Sequence, residues 1–147
     1  MSHSGWLSKV FKPNELKVAA EDIANQIKYD NVNGAHIEAI AVTGLSGLTF
    51  GCAVSLLTGI PLIALRKTDY SHSSFTVEYD SSLKRCGYCI VDDLIASGAT
   101  IERIIETLKA ENANFRLEKI YLYSQISIID FFRTKNLENI PIYALPF

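Results

Sequence analysis

Two spacings of apolar residues alternate along this chain. Residues 14–28, NELKVAAEDIANQIK, place Leu16, Ala19, Ala20, Ile23, Ala24 and Ile27 at helical intervals, and Asn14 after Pro13 predicts the N-cap. Residues 38–43, EAIAVT, predict a strand ending in GLSG, followed by a helix over about 48–58 that Gly59 stops. Pro61 opens a second strand, PLIALR, and YCIVDD predicts a third. Residues 99–111 predict a helix, with Ile101, Ile104, Ile105 and Leu108 on one buried face. KIYLYSQI, 119–126, predicts another strand, and IPIYALPF reads as extended. Strands alternating with helices imply an α/β fold: a mostly parallel twisted sheet with helices on both faces.

One stretch breaks the alternation. Residues 68–85, TDYSHSSFTVEYDSSLKR, are polar and mixed, and a connection of that length inside a domain points to a lid or binding loop. The uncharged run from Ala41 to Leu65 is long enough to raise the question of a membrane span. Gly44, Gly47, Gly51, Gly59 and Pro61 divide it into turn, helix, turn and strand, so it reads as buried core and no membrane partner is expected. With 147 residues, 48% of them hydrophobic and 20% charged, the chain has the make-up of one globular domain. A net charge of −2 supplies no basic footprint for nucleic acid or an anionic membrane. The N-terminal MSHSGWLSKVFKPNELK has no apolar core of a secretion signal, and three cysteines fit a reduced, cytoplasmic setting. Cys86 and Cys89 form C-x-x-C, but before a strand rather than at a helix start, which disfavours redox chemistry.

Candidate chemistry concentrates in CIVDDLIASGATIE, 89–102. Asp92 and Asp93 fall at the carboxyl end of a strand, where open α/β sheets bind ligands. Ala96, Ser97, Gly98, Ala99 and Thr100 then make a small-residue turn into a helix N-terminus, whose outward N–H groups favour an anion. An acidic pair beside a phosphate cradle suits a ribose 5-phosphate, with a hydrated Mg²⁺ or the ribose hydroxyls at the acids. Spacing alone equally allows two aspartates that cap the helix region and face water.

The motif V-D-D-L-x-A-S-G-A-T, 91–100, resembles the phosphoribosyl pyrophosphate (PRPP) signature of type I phosphoribosyltransferases. GLTFGCAVSLLTGIPLIALRK, 47–67, is similar to the adenine phosphoribosyltransferase segment from the pyrophosphate loop through a helix to a strand ending in Arg-Lys. FTVEYDSS, 75–82, is similar to the flexible loop of those enzymes, and YALPF, 143–147, to their C-terminus. The resemblance covers roughly 38–147 of a single domain spanning 1–147: an N-terminal segment and helix (1–35), a PRPP-binding core (36–126) and a C-terminal segment (127–147). It implies that Asp92 and Asp93 contact the ribose hydroxyls and organise Mg²⁺, and that Ala96 to Thr100 hold the 5-phosphate. Thr43, Gly44, Leu45, Ser46 and Gly47 would bind pyrophosphate through backbone N–H groups. Arg66 and Lys67 would neutralise the leaving group, while Glu78 and Tyr79 close over the reacting centre. Arg66 and Lys67 as a solvated strand end, and Glu78 and Tyr79 as an ordinary polar loop, are the plainer alternatives.

The implied activity is Mg²⁺-dependent transfer of the phosphoribosyl group to a nucleobase, a purine by the adenine-type resemblance, in a homodimer. The chain departs from that pattern in three places. The acidic residue and arginine of the pyrophosphate loop are replaced by Gly44 and Ser46, the base-reading hood motif before the first helix is missing, and the flexible loop is shortened. Ala96 stands where hypoxanthine-guanine enzymes carry a catalytic acid. Trp6, Phe11, Phe131 and Phe132 are candidate stacking platforms for a base, or else core and interface residues. The departures leave a PRPP- or nucleotide-sensing regulator of the same fold as a second reading. An unrelated receiver-type α/β domain is a third.

Overall fold

The computed structural model describes Ser8 and residues 11–66, 77–93, 98–124 and 140–145. Helix α1 (Pro13–Val32), strand β1 (Ile37–Thr43), helix α2 (Gly44–Thr58) and strands β2 (Leu62–Leu65) and β3 (Val77–Tyr79) come first. Strand β4 (Cys86–Asp92), helix α3 (Ala99–Glu111) and strands β5 (Phe115–Leu122) and β6 (Ile142–Ala144) follow. The strands form one six-stranded sheet in the order β3-β2-β1-β4-β5-β6. Every neighbouring pair is parallel except β2 with β3, where Ile63 faces Tyr79 and Leu65 faces Val77.

A central strand covered on both faces must be apolar on both, and β4 is buried at every position. Successive residues feed two separate cores. Cys89 and Val91 pack with Ile23 and Ile27 of α1, Phe50 and Val54 of α2, and Tyr121. On the opposite face Cys86, Tyr88 and Ile90 pack with Ile101, Ile104 and Leu108 of α3. Helices therefore cover both faces, as the alternating pattern predicts. The two cysteines of C-x-x-C lie in opposite cores as free thiols, and burial pushes both thiols above their ordinary pKa. That placement removes a disulfide or redox role for the motif.

Several sequence expectations shift. The segment GLSG is not a loop before a helix near 48: α2 begins at Gly44, directly on Thr43. Two glycines in four residues read as a turn, yet here they sit in the first helical turn. Helix α1 begins at Pro13 with Lys12 as its N-cap, so Asn14 lies inside the first turn. The fixed φ of proline suits that first helical position. C-x-x-C begins strand β4 instead of preceding it, and β5 starts at Phe115 rather than near 119. Strand β3, within the stretch read as a loop, is a three-residue edge strand that takes its order from pairing with β2. The uncharged Ala41–Leu65 run folds as the end of β1, α2 and β2, and no helix among the described residues is long and apolar enough to cross a membrane.

Candidate active site at the carboxyl ends of the central strands

Chain order runs outward from β1 on one side and from β4 on the other, so the strand order reverses between these two neighbours. A crevice opens at such a point because the two following connections leave in opposite directions. Here those connections lead into α2 and α3, on opposite faces of the sheet.

At the β4 end, the backbone of the acidic pair is held by an extension of the β4–β5 ladder. The N–H of Tyr123 donates to Asp92 O at 3.1 Å, and that of Ser124 to Asp93 O at 3.0 Å. The Asp92 carboxylate accepts the N–H of Asp93 at 2.8 Å, and the two residues are only 7% and 6% exposed. Gly98 then caps α3 with φ +82°, a left-handed turn that glycine adopts without strain. Ala99 and Thr100 are exposed at the N-terminus of α3, the positive end of the helix dipole. Leu94, Ile95, Ala96 and Ser97 lie outside the described residues.

At the β1 end the chain is uncharged. Thr43 is extended, Gly44 turns at φ +71°, and Leu45, Ser46 and Gly47 complete the first turn of α2. Gly47 joins the two ends: a Cβ there would come within 3.3 Å of Asp92 Oδ1 and 3.6 Å of Val91 O, so only a bare α-carbon lets the helix pass without displacing the carboxylate. An open cleft of about 500 Å³ lies over β1 and β2, lined by Thr43, Gly44, Leu45, Leu48, Arg66 and Glu78 among others. Within it the Arg66 guanidinium pairs with the Glu78 carboxylate, its Nε donating at 2.8 Å and Nη2 adding a second contact.

The structure thus brings Thr43, Gly44, Leu45, Arg66 and Glu78 to one cleft and sets Gly47 against Asp92. It does not bring Tyr79 there. Because β3 runs antiparallel to β2, Tyr79 points to the far end of the sheet, where its hydroxyl donates to Glu111 Oε1 at 3.2 Å and its ring meets Phe115 edge-on. Lys67, residues 68–76, Trp6, Phe131, Phe132 and Phe147 lie outside the described residues, and Phe11 is exposed ahead of α1. Sequence reasoning missed Arg103 of α3, whose Nη2 donates to Thr43 Oγ1 at 2.9 Å across sixty positions of sequence. Among the described residues no three His, Cys, Asp or Glu side chains converge as a closed metal site. Two adjacent carboxylates fit a hard divalent cation that takes its other ligands from water and substrate oxygens.

No family model matches the chain. An adenine phosphoribosyltransferase of Prochlorococcus marinus is 31% identical over 116 residues, 69% of this chain and 62% of the relative. A hypoxanthine/guanine phosphoribosyltransferase of Methanocorpusculum labreanum is 30% identical over 90 residues, 53% of this chain and 48% of that protein. The crystal structure of adenine phosphoribosyltransferase from Thermoanaerobacter pseudethanolicus superposes with a TM-score of 0.71 at 20% identity, covering 94% of this chain and 83% of that one. The chain belongs to the type I phosphoribosyltransferase family. It spans about three fifths of the length of the first of these relatives, and relatives named for orotate match as well. The segment that resembles the PRPP signature begins at the acidic end of β4, and the one that resembles the pyrophosphate loop forms the end of β1 and the first turn of α2.

Proposed function

We propose that this protein transfers the phosphoribosyl group of PRPP to a ring nitrogen of a purine-type base, forming a nucleoside 5′-monophosphate and releasing pyrophosphate. The observation that carries this reading is the close approach of Gly47 to Asp92, which sets the acidic end of β4 beside the helix whose first turn lines the cleft over β1 and β2. The purine assignment rests on the names of the adenine and hypoxanthine/guanine relatives.

The parts fall into roles. Asp92 and Asp93 would take the ribose hydroxyls and would be the residues that hold Mg²⁺. Mg²⁺ supplies charge stabilisation on the leaving group. Ala96, Ser97, Gly98, Ala99 and Thr100 cradle the 5-phosphate with backbone N–H groups. Thr43, Gly44, Leu45, Ser46 and Gly47 offer N–H groups to the pyrophosphate, with Arg66 and Lys67 as its cations. The base nitrogen bonds to the anomeric carbon as the bond to the pyrophosphate oxygen breaks, and the proton of the base passes to the released pyrophosphate. Positive charge grows on the sugar meanwhile, so water must be excluded, which is the work assigned to the 68–85 connection and Glu78.

The charge-free helix α2 leaves Leu45 68% and Leu56 87% exposed, with Leu48 and Leu57 also at the surface; this supports a homodimer that covers α2. Three free thiols support a cytoplasmic setting. A PRPP- or nucleotide-sensing protein is the second reading, favoured by one observation: Arg66 is already neutralised by Glu78, so the cleft presents little net positive charge to a leaving group.

Mg²⁺-dependent pyrophosphate release from PRPP, measured against adenine, guanine, hypoxanthine, xanthine, uracil, orotate and nicotinate, decides between the two. Release with a purine, lost by about a hundredfold or more in Asp93→Ala, is the expected result. Saturable PRPP binding without release for any base would establish the sensor, and absence of both would end the reading.

A further inference from the structure

We infer that Arg103 is a pyrophosphate-binding residue, supplying from α3 the positive charge that the start of α2 lacks; this rests on the PRPP reading above. The start of α2 that lines the cleft offers a diphosphate no charged residue anywhere in Gly44–Thr58. Arg66, the cation that lines the cleft, has its guanidinium engaged by Glu78, so this pair adds no net charge. Arg103 differs on every count. Its Nη2 donates to Oγ1 of Thr43, itself a lining residue, which places the guanidinium one hydrogen bond from the cleft.

The geometry fixes the direction of that bond and leaves capacity to spare. The Thr43 hydroxyl gives its own proton to Leu65 O at 2.9 Å, so toward Arg103 it can only accept. A guanidinium has five N–H donors, and Arg103 makes this one hydrogen bond and no ion pair among the described residues. A half-buried arginine anchored at one nitrogen, with its charge uncompensated, is preorganised for the paired oxygens of a phosphate. The resemblance points to an arginine on the pyrophosphate segment itself; here the charge reaches the same turn from the opposite face of the sheet.

The test separates the two ends of the site with two probes, inorganic pyrophosphate and ribose 5-phosphate, each titrated calorimetrically with Mg²⁺ into the full chain. Arg103→Gln keeps a donor for Thr43 but no charge, and Arg103→Lys keeps the charge without the fork. Expected are about ten- to a hundredfold weaker pyrophosphate binding in Arg103→Gln, partial recovery in Arg103→Lys, and ribose 5-phosphate binding within about twofold of wild type in both. Unchanged pyrophosphate affinity in Arg103→Gln, or equal loss of both probes alongside a lowered melting temperature, would show that Arg103 only ties α3 to β1 and would overturn the inference. Binding of neither probe by the wild-type chain would instead overturn the PRPP reading, and the role of Arg103 with it.

Discussion

Among the described residues, two ion pairs tie together elements distant in sequence, and they are built to opposite ends. Lys119 and Asp30 join β5 to α1 with side chains only 18% and 14% exposed, at 2.8 Å. The same carboxylate accepts hydrogen bonds from Tyr121 Oη at 2.5 Å and Gln26 Nε2 at 3.0 Å, while the lysine nitrogen lies 5.5 and 5.9 Å from the Tyr121 and Tyr143 rings. Arg66 and Glu78 join β2 to β3 with side chains 46% and 50% exposed and no further polar partner for either head group among the described residues. A charge desolvated and held by several groups stabilises one arrangement, since removing any partner strands the rest. A solvated pair has water as its alternative at every moment, so a ligand can replace either partner at little cost. The first pair fixes the scaffold, and the second is free to exchange with an anion in the cleft.

Asp30→Ala should break this contrast most severely. With Lys119 and Tyr121 left facing a void, the loss is expected at about 2–3 kcal/mol, read from the urea midpoint with an unchanged slope. Its pH signature follows from the carboxyl itself: burial raises its pKa, but the bonds from Lys119, Tyr121 and Gln26 outweigh that and hold it below the ordinary carboxylate value. The stabilisation is therefore full above the ordinary carboxylate range and lost as pH falls through the lowered folded value. Asp30→Asn should flatten that acid limb of the stability curve. Tyr121→Phe is the intermediate case, about 1 kcal/mol, because it removes one donor to the Asp30 carboxylate and leaves the ion pair. Burial and the Asp30 hydrogen bond both push the Tyr121 hydroxyl up, so its share persists below about pH 10 and disappears only as pH rises through the higher folded value. Glu78→Gln should leave the unfolding midpoint where it is and tighten pyrophosphate binding by about threefold, since Arg66 then meets the ligand without a competitor. A lowered midpoint with unchanged binding would make the Arg66–Glu78 pair a second scaffold pair and erase the distinction.

What was legible in the sequence was what neighbours in the chain decide. The four-residue rhythm of Ile101, Ile104, Ile105 and Leu108 located α3 to the residue, and the acid pair followed by small residues located the end of β4. The start of α2 was not legible, because a glycine signals a turn in sequence whether it serves a turn or a close approach. Gly47 serves the approach to Asp92, a residue that only the fold brings near. Strand β3 has too few residues to show a period and exists through β2. The polar contacts that distinguish scaffold from site were hidden for the same reason. Asp30 with Lys119, Thr43 with Arg103, and Tyr143 with Asp22 each span dozens of positions, and a lone arginine in a charged helix reads as solvated surface.

The short outer strands carry a consequence for how copies of this chain meet. As described, the sheet ends in β3 on one side and β6 on the other, each three residues long. An incoming strand would find few backbone groups to pair with at either edge, which works against edge-to-edge stacking and fibril seeding. The exposed leucines of α2 instead offer side-chain contact without backbone pairing. In the homodimer proposed above, association through that helix would close on itself with two copies, whereas growth along an open edge would have no natural stop.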